Sequence, residues 1–197
     1  MMAHDTQTAH PIAIFIRGLP GSGKSYLAEA LAAAIGNEKA VNLDPDATDY
    51  SSEEYAEHAK AMTAEGVDAQ LHPYRFLRAK AYDAIEANKI IIWNQPFTNL
   101  EIFNKMVARL QDRAAECHTR LPMLVVEVEV DSATAKDRVK ARKSRGGHGP
   151  SDNTFQQRVN DYSSFEDEGY EVVKVNGQDD VEKSVAVIMH ALDDLSV

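Results

Sequence analysis

The chain has 197 residues, 44% of them apolar and 26% charged, so it can bury a packed core and is not a disordered polymer. With 21 Lys and Arg against 31 Asp and Glu the net charge is −10, which excludes a global field that would hold duplex nucleic acid. No apolar run approaches the roughly 20 residues that span a bilayer, and Met1–His10 lacks the apolar stretch of a signal peptide. The single cysteine, Cys117, has no partner for an internal disulfide, so a reducing, cytoplasmic setting and burial as a small apolar residue are expected.

Residues 1–10 are expected to form a disordered tail ahead of a single domain over 11–197. Ile12–Arg17 is a short, near-continuous apolar run, the mark of a buried parallel strand. Lys24–Ile35 is rich in Ala and Leu and stops at Gly36-Asn37, a helix with its end signal. A strand follows at Ala40–Leu43. Helices are then expected over Ser52–Glu65 and from Pro73 to about Ala87, which makes a helical insert over 49–87 before the strand Lys89–Trp93. A helix over Asn99–Cys117 leads to the strand Leu124–Val130. Glu127 and Glu129 interrupt that strand, which leaves two readings: a partly exposed face, or paired glutamates. The helix Ser132–Lys143, the Gly-rich loop Ser144–Asp152, the helix Thr154–Phe165, the strand Tyr170–Val175 and the helix Asp179–Leu195 complete the chain. Strands alternating with helices predict an α/β fold, a three-layer α/β/α sandwich around a five-stranded, mainly parallel sheet.

Gly18-Leu19-Pro20-Gly21-Ser22-Gly23-Lys24-Ser25 matches the Walker A pattern and lies between an apolar strand and a helix, where the chemistry needs it. Glycines let backbone N–H groups wrap phosphate oxygens, and the helix N-terminus adds partial positive charge. Lys24 is expected to reach the β- and γ-phosphates of ATP, and the Ser25 hydroxyl to ligate Mg²⁺.

Asn42-Leu43-Asp44-Pro45-Asp46 falls at the carboxyl end of the second strand, which in an open parallel sheet faces the ligand crevice. A carboxylate there can take the proton of an attacking hydroxyl or hold Mg²⁺ through water, although the same residues also favour a simple turn. Spacing does not choose between Asp44 and Asp46. Six of the 21 cations lie between Lys136 and Arg145. Arg138, Arg142 and Arg145 recur at helical spacing, so they can share one face, and Gly146-Gly147-His148-Gly149 follows as a hinge. A lid over about 136–158 that closes arginines on a transferring phosphoryl group is the expectation, with Arg158 beyond the loop also available. His148 is expected to be a surface loop residue. Asn94 and Gln95, after the third strand, are candidates for contact with substrate; Trp93, Phe97 and Phe103 are expected in the core or a pocket wall. No Asn-Lys-x-Asp motif of a GTPase occurs. The third strand ends Trp93-Asn94-Gln95 and not in the Asp-Glu of AAA-type ATPases.

These blocks resemble the small P-loop kinases, and among them the zeta-toxin group. The resemblance rests on Gly18–Ser25, on Leu43-Asp44-Pro45-Asp46, on His72-Pro73 with its Ala-rich helix, on Ala87–Ile92, and on Arg138-x-x-x-Arg142 followed by Gly-Gly-His-Gly. It implies a kinase domain, with the final acid, Asp46, as the base. It also implies a UDP-linked amino sugar as acceptor and an antitoxin-like protein partner. The chain departs from that group at Asn94–Thr98, where Glu-Gly-Thr is usual, and at Ala47-Thr48-Asp49, which lacks the usual basic residue. Related polynucleotide 5′-hydroxyl kinases and antibiotic phosphotransferases share the loop, the acid and the arginine lid. The expected activity is Mg²⁺-dependent transfer of the γ-phosphoryl of ATP to a hydroxyl of a small molecule or nucleotide derivative. The competing expectation is a nucleotide-binding regulatory ATPase or switch with no phosphorylated acceptor.

Overall fold

The computed structural model describes residues 10–147 and 149–195. The tail expected over 1–10 falls outside them except for His10, which is buried at the start of the first strand, and His148 falls outside them as well. Five strands, β1 (Ile12–Arg17), β2 (Ala40–Leu43), β3 (Ile90–Asn94), β4 (Met123–Glu129) and β5 (Val172–Asn176), form one sheet in the order β2-β3-β1-β4-β5. Every pairing is parallel. The helices are α1 (Lys24–Ile35), α2 (Glu53–Ala64), α3 (His72–Glu86), α4 (Leu100–Glu116), α5 (Ser132–Ser144), α6 (Asp152–Asp161) and α7 (Val181–Leu195).

β1 is buried along its whole length because it lies between two neighbours and beneath helices on both faces. Ile12, Ile14 and Ile16 point to the α1 and α7 side, and Ala13 and Phe15 to the α3 and α4 side. On that second side Phe15, Phe97 and Phe103 meet edge to face, with ring centres 5.0–5.8 Å apart. Trp93 is buried there too, and Cys117 packs at the cluster's margin, partly buried.

Side-chain caps set several helix starts. The Ser52, Asn99, Asp131 and Ser151 side chains accept the N–H of Tyr55, Ile102, Thr134 and Thr154. The largest departure from the expected elements is α6, which ends at Asp161 and not at Phe165. The reason is tertiary: the Phe165 N–H donates to Glu127 Oε1 at 2.7 Å and the Phe165 ring is buried, so the chain leaves the helix to enter the core. Glu127 and Glu129 take one reading each. Glu127 is buried and paired with Arg17, whereas Glu129 is exposed.

Candidate functional site

The loop Gly18–Ser25 joins the carboxyl end of β1 to the first turn of α1. Gly21 has φ +85°, and a Cβ there would meet the Ala135 carbonyl oxygen at 2.4 Å, so only glycine lets α5 pack this close to the loop. Lys24 folds back and donates to the Leu19 carbonyl at 2.9 Å. Burial lowers its pKa to about 8; Asp44 and Asp46 push the other way, and Arg158 and Arg142 add to the lowering. Asp44, Asp46, Arg142 and Arg158 therefore share the electrostatic neighbourhood of one ammonium, although they come from distant parts of the chain.

Asp44 and Asp46 have different surroundings. Asp44 is buried, and its Oδ2 accepts the Ser25 hydroxyl at 2.9 Å and the Asn94 amide at 2.7 Å. The Asn94 amide also donates to Ser25 Oγ at 2.9 Å, closing a triangle. Asn94, expected to meet substrate, thus lies in the core at the end of β3 and orients the serine and the aspartate. The Asp46 carboxylate is exposed, and only its N–H is tied down, to Asp44 Oδ1 at 2.8 Å. Gln95 is partly buried, and its N–H continues the sheet by donating to the Ile16 carbonyl at 3.1 Å.

Two members of the triangle, Ser25 Oγ and Asp44 Oδ2, are hard oxygen donors. Among the described residues no group of three or more His, Cys, Asp or Glu side chains could hold a metal alone. Ser25 and Asp44 therefore suit Mg²⁺ of the kind completed by phosphate and water oxygens, as nucleotide sites use it.

Of the lid arginines, Arg138 donates to the carbonyls of Gly177 (2.9 Å) and Gly21 (3.4 Å), which ties α5 to the loop before α7. Arg142 and Arg145 are exposed at the end of α5, and Arg158 is partly buried on α6. Of the connecting glycines, Gly146 (φ +83°) would have nothing within 4 Å of a Cβ, whereas a Cβ on Gly147 or Gly149 would meet Arg142 Cγ at 2.7 Å or Val139 Cγ1 at 2.9 Å, so these two pack against α5.

Sequence reasoning missed three groups. A cavity of about 40 Å³ behind the loop is lined by Ser22, Tyr26, Asn176, Gly177 and Asp179, beside Arg138. Gly177 packs so tightly there that a Cβ would meet the Ser22 carbonyl at 2.2 Å. Tyr50 and Tyr55 stack edge to face at 4.9 Å, and Tyr55 meets Phe76 at 5.3 Å, forming an aromatic wall on the insert. Burial chiefly raises the Tyr50 phenol, a hydrogen bond with Thr48 opposes that, and Tyr55, Tyr74 and Asp46 add smaller increments. The pair Arg17–Glu127 is the third. A motif search sees none of these, because each is assembled from separate elements. A further cleft of about 240 Å³ between α2 and α3 is lined by Glu57, His58, Phe76, Lys80 and Asp83, with no residue of the nucleotide loop.

Residues 14–161 match the model of a family described as an AAA domain. The chain belongs to that family. This AAA domain nevertheless lacks the Asp-Glu ending of β3 by which AAA-type ATPases were set aside above; Asn94 stands at the strand end. A gluconokinase from Sinorhizobium meliloti 1021 is similar in structure, with TM-score 0.56 and 16% identity over 95% of this chain and 94% of that one. Deoxyadenosine kinase from M. mycoides with bound dATP matches with TM-score 0.53 and 17% identity over 91% and 98%. A chain of the Pnkp1/Rnl/Hen1 RNA repair complex matches with TM-score 0.56 and 14% identity, over 81% of this chain and 46% of that one. Curated proteins give no match. At these identities the likeness is one of fold: the three-layer P-loop architecture. Among the described residues no helix is long and apolar enough to cross a membrane.

Proposed function

We propose that this protein is an ATP-dependent kinase that moves the γ-phosphoryl group to a hydroxyl of a small molecule or nucleotide derivative. The observation that carries the reading is the division of labour between two acids two residues apart. Asp44 is bound to the Walker A serine and to Asn94, whereas Asp46 is exposed. A phosphotransferase needs both roles, one acid for the metal and one for the acceptor proton. Because a hydrolase also positions its attacking water, the fate of the labelled phosphate is what separates the two classes.

The loop N–H groups and Lys24 hold the phosphates of ATP. Ser25 and Asp44 would hold Mg²⁺, which when bound would neutralise charge on the phosphate oxygens. Asp46 accepts the proton of the acceptor hydroxyl as its oxygen bonds to the γ-phosphorus. The bond from that phosphorus to the β,γ-bridging oxygen breaks, and ADP leaves. Arg142 and Arg158, already in the field of Lys24, stabilise the charge on the transferred group.

Gluconate, deoxyadenosine and an RNA end are the acceptor classes suggested by the printed names of the similar structures. Tyr50 and Tyr55 favour a flat or ring-bearing acceptor. The UDP-linked amino sugar of zeta toxins is less favoured, because Ala47–Asp49 brings no cation to that face. The test is incubation with γ-labelled ATP, Mg²⁺ and a metabolite extract, with the labelled product identified by mass. A stoichiometric phosphorylated acceptor supports the kinase. Phosphate release with no labelled acceptor returns the protein to the switch class.

A further inference from the structure

Arg17 is fully buried, and so is nearly all of Glu127, yet neither takes part in the chemistry above. Arg17 Nη1 lies 2.5 Å from Glu127 Oε1 and donates to the Ser163 carbonyl at 2.7 Å. Nη2 donates to the Phe97 carbonyl at 3.1 Å. The guanidinium lies over the Phe165 ring at 3.6 Å and the Tyr162 ring at 4.4 Å. Glu127 completes the cluster by accepting the Phe165 N–H at 2.7 Å and the Ser164 hydroxyl at 2.8 Å.

Stability alone is a poor reason for this cluster, because well-packed apolar residues often replace a buried ion pair at no cost. What the pair touches is more informative. Arg17 immediately precedes the nucleotide loop. Phe97, whose φ of +45° is strained for a bulky side chain, follows Asn94 and Gln95. Ser163, Ser164 and Phe165 form the return of the lid, five to seven residues after Arg158. A guanidinium is a rigid planar fork of donors, so it fixes the relative orientation of the segments it bonds, which a flexible ammonium does not.

We propose that Arg17 and Glu127 are positioning residues that clamp the lid return to the end of β1 and so aim Arg158 at the phosphate site. The kinetic part of this proposal rests on the kinase reading; the structural part does not. Ser163, Ser164 and Phe165 are held by Arg17 and Glu127, whereas α5 is held independently through Arg138 and Gly21. Loss of the clamp therefore loosens the return 162–165 and leaves α6 held by its packing on α5 through Phe155.

The experiment compares the full chain with Arg17→Lys, with the double variant Arg17→Met/Glu127→Met, and with each change combined with Arg158→Ala. The double variant guards against a failure to fold, since it leaves no orphan charge in the core. Amide hydrogen exchange over 152–165 is expected to become about tenfold faster or more in both clamp variants, while β1 and β3 keep their protection. In turnover, Arg17→Lys is expected to lower kcat about tenfold with little change in KM for ATP, and to add nothing in the Arg158→Ala background. Unchanged exchange over 152–165, or kcat losses that multiply independently with Arg158→Ala, overturns the proposal. A wild type that transfers no phosphoryl group sinks the kinase reading alone, and the exchange result then decides the clamp.

Discussion

The two sides of the phosphate site are built to different standards. On the nucleotide side, Ser25, Asp44 and Asn94 hydrogen-bond one another from separate parts of the chain, and the loop grows out of β1, the most buried strand. On the lid side, the core of α5 and α6 is three buried residues, Ala135, Val139 and Phe155, joined by Leu19, Val130 and Val159. Four cations of α5 (Arg138, Lys140, Arg142 and Lys143) are exposed. Local stability follows the number of buried apolar contacts, so the α5–α6 side is expected to open more readily than the nucleotide side. At cellular ionic strength the Debye length is about 8 Å, so the chain's remote carboxylates are screened and these nearby arginines decide how a polyanion is received.

The sharpest way to break this contrast is at Lys24. Lys24→Ala is expected to cut phosphoryl transfer by about 10⁴-fold or more, while the thermal midpoint stays near wild type because the ammonium holds only the Leu19 carbonyl. Unchanged transfer in a folded mutant would remove the loop from the mechanism. On the lid, Arg142→Ala is expected to lower kcat on the order of 10³-fold, more than it raises KM for ATP, because an arginine that closes on the transition state is lost mainly from the rate. Lys140→Ala, also exposed on α5, should change either constant by less than about twofold. If the two mutants behave alike, with small salt-sensitive changes, α5 is only a solvated basic face.

The paired acids should separate by about 10²-fold. Asp46→Asn is expected to keep ATP affinity and lose at least that factor in kcat, whereas Asp44→Asn should raise the Mg²⁺ concentration needed for half-maximal rate. Full activity in both single mutants would reduce Asp-Pro-Asp to a turn and cap.

The smallest effect is a proton. Burial lowers Lys24 to about 8, below its ordinary 10.5, so the free protein has lost about half of this charge at about pH 8. A lowered lysine disfavours the folded state below its folded pKa, and that cost fades as pH rises toward the unfolded value. Bound phosphate reverses the shift, so ATP binding at about pH 8.5 should take up a fraction of a proton, seen by calorimetry in buffers of different ionisation enthalpy. The uptake should vanish in Lys24→Met; if it persists there, another group is titrating.

Much of the fold was legible in the sequence because its signals are local. Apolar runs marked β1 and β3, Gly36 ended α1, and Ser52 and Asn99 capped α2 and α4 within a residue of the expected starts. The nucleotide loop was legible for the same reason, since all eight residues are contiguous. The basic run of α5 was legible as a charge pattern but not as a geometry. Equal helical spacing did not tell that Arg138 turns to Gly177 and Gly21 while Arg142 and Arg158 reach the field of Lys24.

The chain order by itself determined the alternation of strands and helices, the Walker A loop and the presence of two acids at the end of β2, because each depends on neighbours within a few residues. Tertiary structure alone decided which acid meets Ser25, because that depends on β3 lying beside β2 and carrying Asn94 to the same corner. It also decided the fate of Arg17 and Glu127. They stand 110 residues apart in the chain, and only the adjacency of β1 and β4 converts two isolated charges inside apolar strands into one buried pair. Local propensity cannot foresee this, because the free energy of a buried charge is set by the partner that the fold brings to it.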